Sequence, residues 1–448
     1  MNYKEKSNLG ILWKNYFNRG SLSLSLYGFY SGLPLALAFG VLSFWLRKAG
    51  VDRSSIGLLT WCSMFYALKF CWAPFLDLVR IPFLSKMLGH RRSWLFLFQC
   101  FISVALFLIS TCNPAGNLDF LVYCILLLSF CSATQDVIID GFRIESSTHR
   151  MHAALAAVYI IGYRFALIVA NAGSMYLVYY LSKGETYSVF AWQQVYFVMA
   201  ALMATSVLVT VFIVKEPEIK RLDVSRQLES FNDNASRVKF WFISLFFDPF
   251  KNFFTAFGVS SIPILLLIGL YRISDITLGA MSNVFYADMG FTELEVANIS
   301  KVFGVIMTLV GAFIGGLLVS KYKSPKILLL GALLSALTNL LFIVQFNLGH
   351  DKNFLMVLIS LDNLSGGIAT SAFIAFMSSL VDRNYSATQY SLLSSIMLII
   401  PKFVAGFSGI VVDDIGYQLF FLSTFAVGIP AIFLSIWLIK TNVLYDHN

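Results

Sequence analysis

Gln135 and Asp136 follow directly on an apolar run, Phe120 to Phe130, that is fit to lie in a bilayer, and Asp140 and Arg143 come within two helical turns of them. A charged carboxylate at that depth costs roughly 2.5–3.5 kcal/mol on insertion scales, so a membrane Asp is a functional candidate by default. The chemistry open to it is reversible protonation. A carboxylate holds its proton in apolar surroundings and releases it beside a base, so a change of surroundings loads and unloads the group. Asp136 is therefore the expected proton-coupling residue, and Gln135 beside it is a substrate-binding candidate.

Five bases lie inside apolar runs: Lys69, Arg164, Arg272, Lys301 and Lys402. Only three acids accompany them: Asp136, Asp275 and Asp362. At about 1.5 Å per residue, Arg164 and Arg272 fall near mid-membrane and Lys69 and Lys402 slightly beyond it. Lys301 falls near the outer interface, where its long stem can reach water. A surplus of buried cations favours an anionic solute, because a desolvated cation needs a partner. Lys69, Arg164 and Lys402 are the expected carboxylate contacts. The alternative for each is a structural tie between two helices. Arg272 and Asp275, three residues apart on one helical face, can pair with each other and are also counted among the substrate-binding candidates. Nearer the inner surface, Asp140 and Arg143 join Asp77 and the loop Gly89-His90-Arg91-Arg92 as an expected cytoplasmic gate.

These groups need a frame, and the composition says which. Of 448 residues, 58% are hydrophobic and 12% charged, with a mean hydropathy of +0.76. Soluble domains carry about 25% charged residues, so this is a polytopic membrane protein. Twelve runs are long enough to cross, at 22–46, 56–77, 93–112, 119–141, 153–180, 191–214, 258–287, 295–319, 327–347, 354–381, 388–412 and 417–440. With the N-terminus inside, twenty-two of the 32 Lys and Arg residues fall on the inner side and five on the outer. That bias predicts cytoplasmic termini and accounts for the net charge of +8 without a nucleic-acid partner. The start, 1–19, lacks the short apolar core and cleavage site of a removable leader, so the first run is read as a retained span.

The expected organisation is a tail (1–21), a six-helix bundle (22–214), a central loop (215–257), a second six-helix bundle (258–440) and a tail (441–448). Within the loop, Phe240 to Phe250 is apolar but too short to cross and is expected to lie along the inner leaflet. The halves echo each other in order: Leu128-Ser129 with Ala133-Thr134 matches Leu364-Ser365 with Ala369-Thr370, and Tyr163-Arg164-Phe165 matches Pro401-Lys402-Phe403. The fold class is thus an all-α integral membrane protein, twelve transmembrane helices in two pseudo-symmetric halves of the major facilitator kind, with a solute site expected near mid-membrane between them.

Other chemistries find little support. The six cysteines fall within runs of the first half, so no disulfide framework is implied. His149 and His152 lack a third ligand nearby, so no metal and no cofactor is expected. A membrane enzyme would need a nucleophile–base pair or a carboxylate cluster in a leaflet-facing loop. The acids of the outer loops (Asp288, Glu293, Glu295, Asp413 and Asp414) have no evident partner base.

Four blocks carry a family resemblance: Gly28-Phe29-Tyr30-Ser31-Gly32-Leu33-Pro34-Leu35; Leu68-Lys69-Phe70-Cys71-Trp72-Ala73-Pro74-Phe75-Leu76-Asp77 with Gly89 to Trp94; Ser132 through Arg143; and Ser386 to Ser395. In these the sequence resembles the AmpG muropeptide permeases, a branch of the major facilitator superfamily that also includes acetyl-CoA transporters. The resemblance implies proton-driven import of anhydro-muropeptides from periplasm to cytoplasm across a bacterial inner membrane, for cell-wall recycling. It implies a transporter acting on a small molecule and protons, not an enzyme; the chain is expected to be a monomer. His90 stands where the family has a basic gate residue, and Pro401-Lys402 where it has Gly-Arg, which bears on substrate preference. Transport of acetyl-CoA or another organic anion is the alternative.

Overall fold

The computed structural model describes residues 19–145, 152–216, 248–322, 324–380 and 386–441. All regular structure in them is helical. Most of both tails and of the central loop lie outside the described residues, as does the expected interfacial segment 240–250 except for its last three residues. A short helix, Asp248–Phe257, leads into the second half.

Twelve helical spans follow the order expected. We number them α1 (Leu22–Lys48), α2 (53–78), α3 (His90–Ser110), α4 (Leu118–Glu145), α5 (152–181), α6 (Val189–Ile213), α7 (261–288), α8 (293–322), α9 (Ser324–Leu348), α10 (Lys352–Ser379), α11 (Ser386–Ala405) and α12 (Ser408–Thr441). Ten stretches of helix are long and apolar enough to cross a membrane among the described residues. The other two spans are α2 and α11. Span α2 is broken by tight turns at Thr60–Ser63 and Lys69–Cys71. The second break sits just before Pro74, whose missing N–H leaves the carbonyl of Phe70 without its helical donor. Span α11 ends at Ala405, and α12 is two helices, 408–415 and 417–441, parted at Gly416 (φ +77°), where the twelfth run was expected to begin.

The chain forms two compact units. The first combines Met1–Ile219 with Tyr286–Val302, and the second combines Lys220–Phe285 with Phe303–Asn448. In the first, α1 packs on α5, α2 on α4, and α3 on both α4 and α6. In the second, α7 packs on α11, α8 on α10, and α9 on both α10 and α12. Adding six to each number converts one set into the other. This is the packing signature of a duplicated six-helix bundle.

Small residues set the closest crossings. A Cβ on Gly28 would lie 2.1 Å from the carbonyl of Tyr159, and one on Gly162 would lie 1.9 Å from that of Ser25, so α1 and α5 touch backbone to backbone. Gly311 and Gly367 do the same for α8 and α10, with gaps of 2.2 and 2.3 Å. Several spans contain a wider, π-helical turn: Ala36–Val41, Val169–Gly173, Val209–Ile213 and Val296–Phe303. In α1 hydroxyls add to the carbonyls of this turn. Tyr196 bonds Leu37 at 3.0 Å and Ser43 bonds Phe39 at 3.0 Å.

Candidate functional site

The polar centre of the first unit begins with a proline. Pro34 in α1 cannot donate to the carbonyl of Tyr30, four residues back. Gln135 takes that acceptor, its Nε2 donating to Tyr30 O at 2.9 Å from a fully buried position on α4. The next residue is Asp136. Ser31, beside Tyr30, donates its hydroxyl to Asp136 Oδ1 at 2.5 Å and shares a second bond of 2.8 Å with the phenol of Tyr159 on α5. The phenols of Tyr66 and Tyr163 also lie within reach of the Asp136 charge. Three spans thus bring neutral hydroxyls to one half-buried carboxylate, which has a further contact besides. Such a setting tolerates both protonation states.

Arg164 lies one residue beyond Tyr163 and is half-buried. Among the described residues it has no hydrogen bond and no ion pair. Lys69 is placed differently: its Nζ is 3.6 Å from Asp140 Oδ2, and Arg143 Nη2 is 3.2 Å from Asp140 Oδ1. The structure therefore groups Lys69 with the residues read as a gate. Arg143 also lies 5.8 Å from the centre of the Tyr159 ring, which links this acid to the Asp136 cluster.

Arg91 and Arg92 are held at the start of α3. The guanidinium of Arg91 rests on Gly141, one residue from Asp140, where a Cβ would come within 2.8 Å of its Cζ. Arg92 donates to Thr210 O at 2.9 Å and Val211 O at 2.7 Å, the carbonyls left open where α6 ends in a π turn. Glu216 accepts from the backbone N–H of Arg91 at 2.8 Å and of Arg92 at 3.1 Å, capping α3 with a negative charge. The side chains of Asp77 and His152, and all of His149, lie outside the described residues.

In the second unit Arg272 sits at a break between two stretches of α7. It donates to Thr370 Oγ1 on α10 at 2.9 Å, and its Nε is 3.2 Å from Asp275 Oδ2 without the alignment of a hydrogen bond. Thr370 and its counterpart Thr134 both accept from a neighbouring helix, Thr134 from Trp72 Nε1 at 3.0 Å. Lys402, half-buried on α11, is in contact with another group.

One expectation needs correction. Two of the five outer acids, Asp288 and Glu293, do have partner bases, from residues remote in sequence. Asp288 binds Arg47 and, at 2.7 Å, Arg53, while Glu293 lies 3.8 Å from Lys48. All belong to the first unit, because segment 286–302 packs there. Thr292 and Glu295 form a reciprocal cap at the start of α8. Sequence reasoning passed over Ser31, Tyr159 and Glu216 as functional residues. Pro34 was the available signal for the first: it frees Tyr30 O and marks where α4 must bring a donor.

Comparison with known proteins follows the same lines. The description "Major Facilitator Superfamily" fits residues 264–447, and "Acetyl-coenzyme A transporter 1" fits residues 21–120. A Rickettsia conorii protein named as a transporter, AmpG 4, is 32% identical over 422 residues, covering 93% of this chain and 96% of its own. AmpG 1 of Rickettsia prowazekii is 33% identical over 438 residues, covering 93% and 97%. Among solved structures, a D-xylose-proton symporter superposes with a TM-score of 0.68 at 12% identity, over 94% of this chain and 97% of that one. A bacterial homolog of the lysosomal transporter Spinster gives 0.66 at 14%, over 96% and 97%. At such identities these two speak for the fold alone. The chain is an all-helical, multi-pass transporter of the major facilitator superfamily, and it belongs there to the AmpG family.

Proposed function

We propose that this protein imports anionic anhydro-muropeptides from periplasm to cytoplasm by proton symport and alternating access. It would act as a monomer in a bacterial inner membrane, with both termini cytoplasmic and bundles at 22–214 and 258–440. The observation that carries the reading is that the unit holding a hydroxyl-bonded acid, Asp136, also holds Arg164, whose guanidinium has no hydrogen bond or ion pair among the described residues. An acid among neutral donors can gain and lose a proton, and a half-buried cation without a partner is suited to a carboxylate on a solute. Gln135, Arg272, Asp275 and Lys402 complete the proposed solute contacts. Asp77, Arg91, Arg92, Asp140 and Arg143 form the proposed inner gate, which Lys69 joins through Asp140. Peptide-bearing muropeptides carry free carboxylates, and the AmpG relatives support that class.

A second reading has its own support. The acetyl-coenzyme A transporter description fits α1 to α3, and that solute is also an anion. Competition in proteoliposomes between an anhydro-muropeptide and acetyl-CoA, under an imposed pH gradient, separates the two. Muropeptide accumulation that acetyl-CoA does not inhibit is expected, and the reverse would replace the first reading by the second. Asp136→Asn is expected to abolish gradient-driven accumulation while sparing downhill exchange. Accumulation at the wild-type level would remove Asp136 from the coupling role.

A further inference from the structure

Asp362 on α10 belongs to none of the groups above. It lies ten residues past Lys352, the start of its helix, and so about 15 Å into a hydrocarbon core of about 30 Å. No base is paired with it among the described residues. Arg272, the cation carried on α7, is taken up by Asp275 and Thr370. The charge that does act on Asp362 is the carboxylate of Asp275, which has the same sign. From α9 comes only the hydroxyl of Thr338, 3.4 Å from Asp362 Oδ1. Nearby polar side chains are neutral and already matched: Asn339 on α9 donates to Ser274 at 2.8 Å and Thr424 at 3.0 Å, and Asn363 accepts from Thr308 of α8 at 2.9 Å.

Thr338 is a weak and shared donor for Asp362. Its hydroxyl also lies 3.1 Å from the carbonyl of Ser335, and one O–H cannot serve both acceptors. If Asp362 is ionised, either its carboxylate goes without a donor in the middle of the membrane or the threonine turns away from a carbonyl that its own helix already bonds through the N–H of Asn339. If Asp362 carries a proton, its own O–H donates to Thr338 Oγ1 and the threonine donates to Ser335 O, and both are satisfied. One turn back on α9, Ser335 Oγ is buried and has no hydrogen-bond partner among the described residues. Asp362 and Asp275 are both half-buried.

We infer that Asp362 is a second proton-binding site, in the second unit, which shares the neighbourhood of Asp275 and gives up its proton only when that neighbourhood changes. Its use in transport rests on the proton-symport reading above; its titration does not. Of two neighbouring acids, the one that the arginine does not pair is the one that a proton would neutralise. With Asp136, each half of the duplicated bundle would carry one titrating acid.

The test is a count of protons. The purified full-length chain in detergent is taken across the neutral range with a pH indicator, as wild type, Asp362→Asn and Asp362→Glu. The Asn variant is expected to take up one proton fewer per chain and the Glu variant the same number as wild type. Equal uptake by Asn and wild type overturns the inference. A second measurement needs no variant: a hydrophobic carbodiimide, which attacks protonated carboxyls, is expected to modify Asp362 of the wild-type chain at neutral pH, with the site located by mass spectrometry. An unmodified Asp362 in a chain labelled elsewhere overturns it equally. If proteoliposomes show no gradient-driven uptake but the proton count falls by one, the symport reading fails and this site stands. Gradient-driven uptake with an unchanged count has the opposite meaning.

Discussion

Replacing Asp288 by Asn keeps the volume of the side chain and removes the charge that Arg47 and Arg53 share. The effect lies between two limits. Exposed ion pairs contribute about 0–1 kcal/mol, whereas removing one partner of a buried pair costs about 3–5 kcal/mol. The Asp288 side chain is 10% exposed and those of Arg47 and Arg53 are 22% and 28% exposed, so screening is partial. Arg47 keeps one other acceptor, Val51 O at 3.1 Å, which limits the loss. We expect about 1.5–3 kcal/mol, or roughly a tenfold to hundredfold rise in the local opening equilibrium of segment 286–302. Amide hydrogen exchange reads that equilibrium directly, because protection in a segment reports the free energy of its own opening. Exchange over 286–302 should speed up by that factor while α3 and α9 keep their rates. Glu293→Gln, which touches only the 3.8 Å contact with Lys48, should change it by less than about 1 kcal/mol. If Asp288→Asn leaves exchange in this segment within about twofold of wild type, the arginines do not hold it and the reasoning fails.

Other perturbations discriminate in the same way. Glu216→Ala should cost about 0.5–2 kcal/mol through the lost cap on α3, seen as a lower melting midpoint in detergent, and an unchanged midpoint would deny the cap its role. Ala at Gly162 or Gly28 drives a Cβ into a facing carbonyl and should sharply lower the yield of folded protein, whereas Gly366→Ala, with nothing within 4 Å, should not; equal behaviour of all three would refute the crossing geometry. Arg164→Gln should leave the melting midpoint nearly unchanged, within about 0.5 kcal/mol, yet raise the KM of an anionic substrate about tenfold or more. Arg272→Gln should lower the midpoint, since it removes the partner of Asp275 and Thr370. A midpoint fall of the same size in both would make Arg164 a structural residue.

The fold was legible in the sequence because a bilayer leaves few options: apolar runs of about 20 residues, short loops and a repeated order of blocks lead to helices in two related sets. What hydropathy cannot see is how a helix is interrupted. Only the second break in α2 sits next to Pro74; the first, at Thr60–Ser63, has no proline beside it, and an apolar run looks the same with or without it. The candidate site was legible where a residue is costly in isolation, as Asp136 is. It was not where a residue matters through a distant partner. Ser31 is an ordinary membrane serine until a helix 105 positions away brings a carboxylate to it. Asp288 looked solitary because its arginines are 241 and 235 positions earlier. Lys69 was read by depth alone, and depth does not reveal that Asp140 is within reach.

The wide turn at Ala36–Val41 has a consequence for the end of α1 beyond it. One additional residue in a turn rotates everything that follows by about 100° around the helix axis. That offset aims Trp45 onto Trp192, where the rings stack at 5.8 Å, and turns its indole N–H to Tyr187. Residue count here sets the angular phase of the helix. Deleting a single residue between 36 and 41 would therefore swing Trp45 out of its stack, whichever residue was removed, while exchanging one apolar side chain for another there would leave the phase alone.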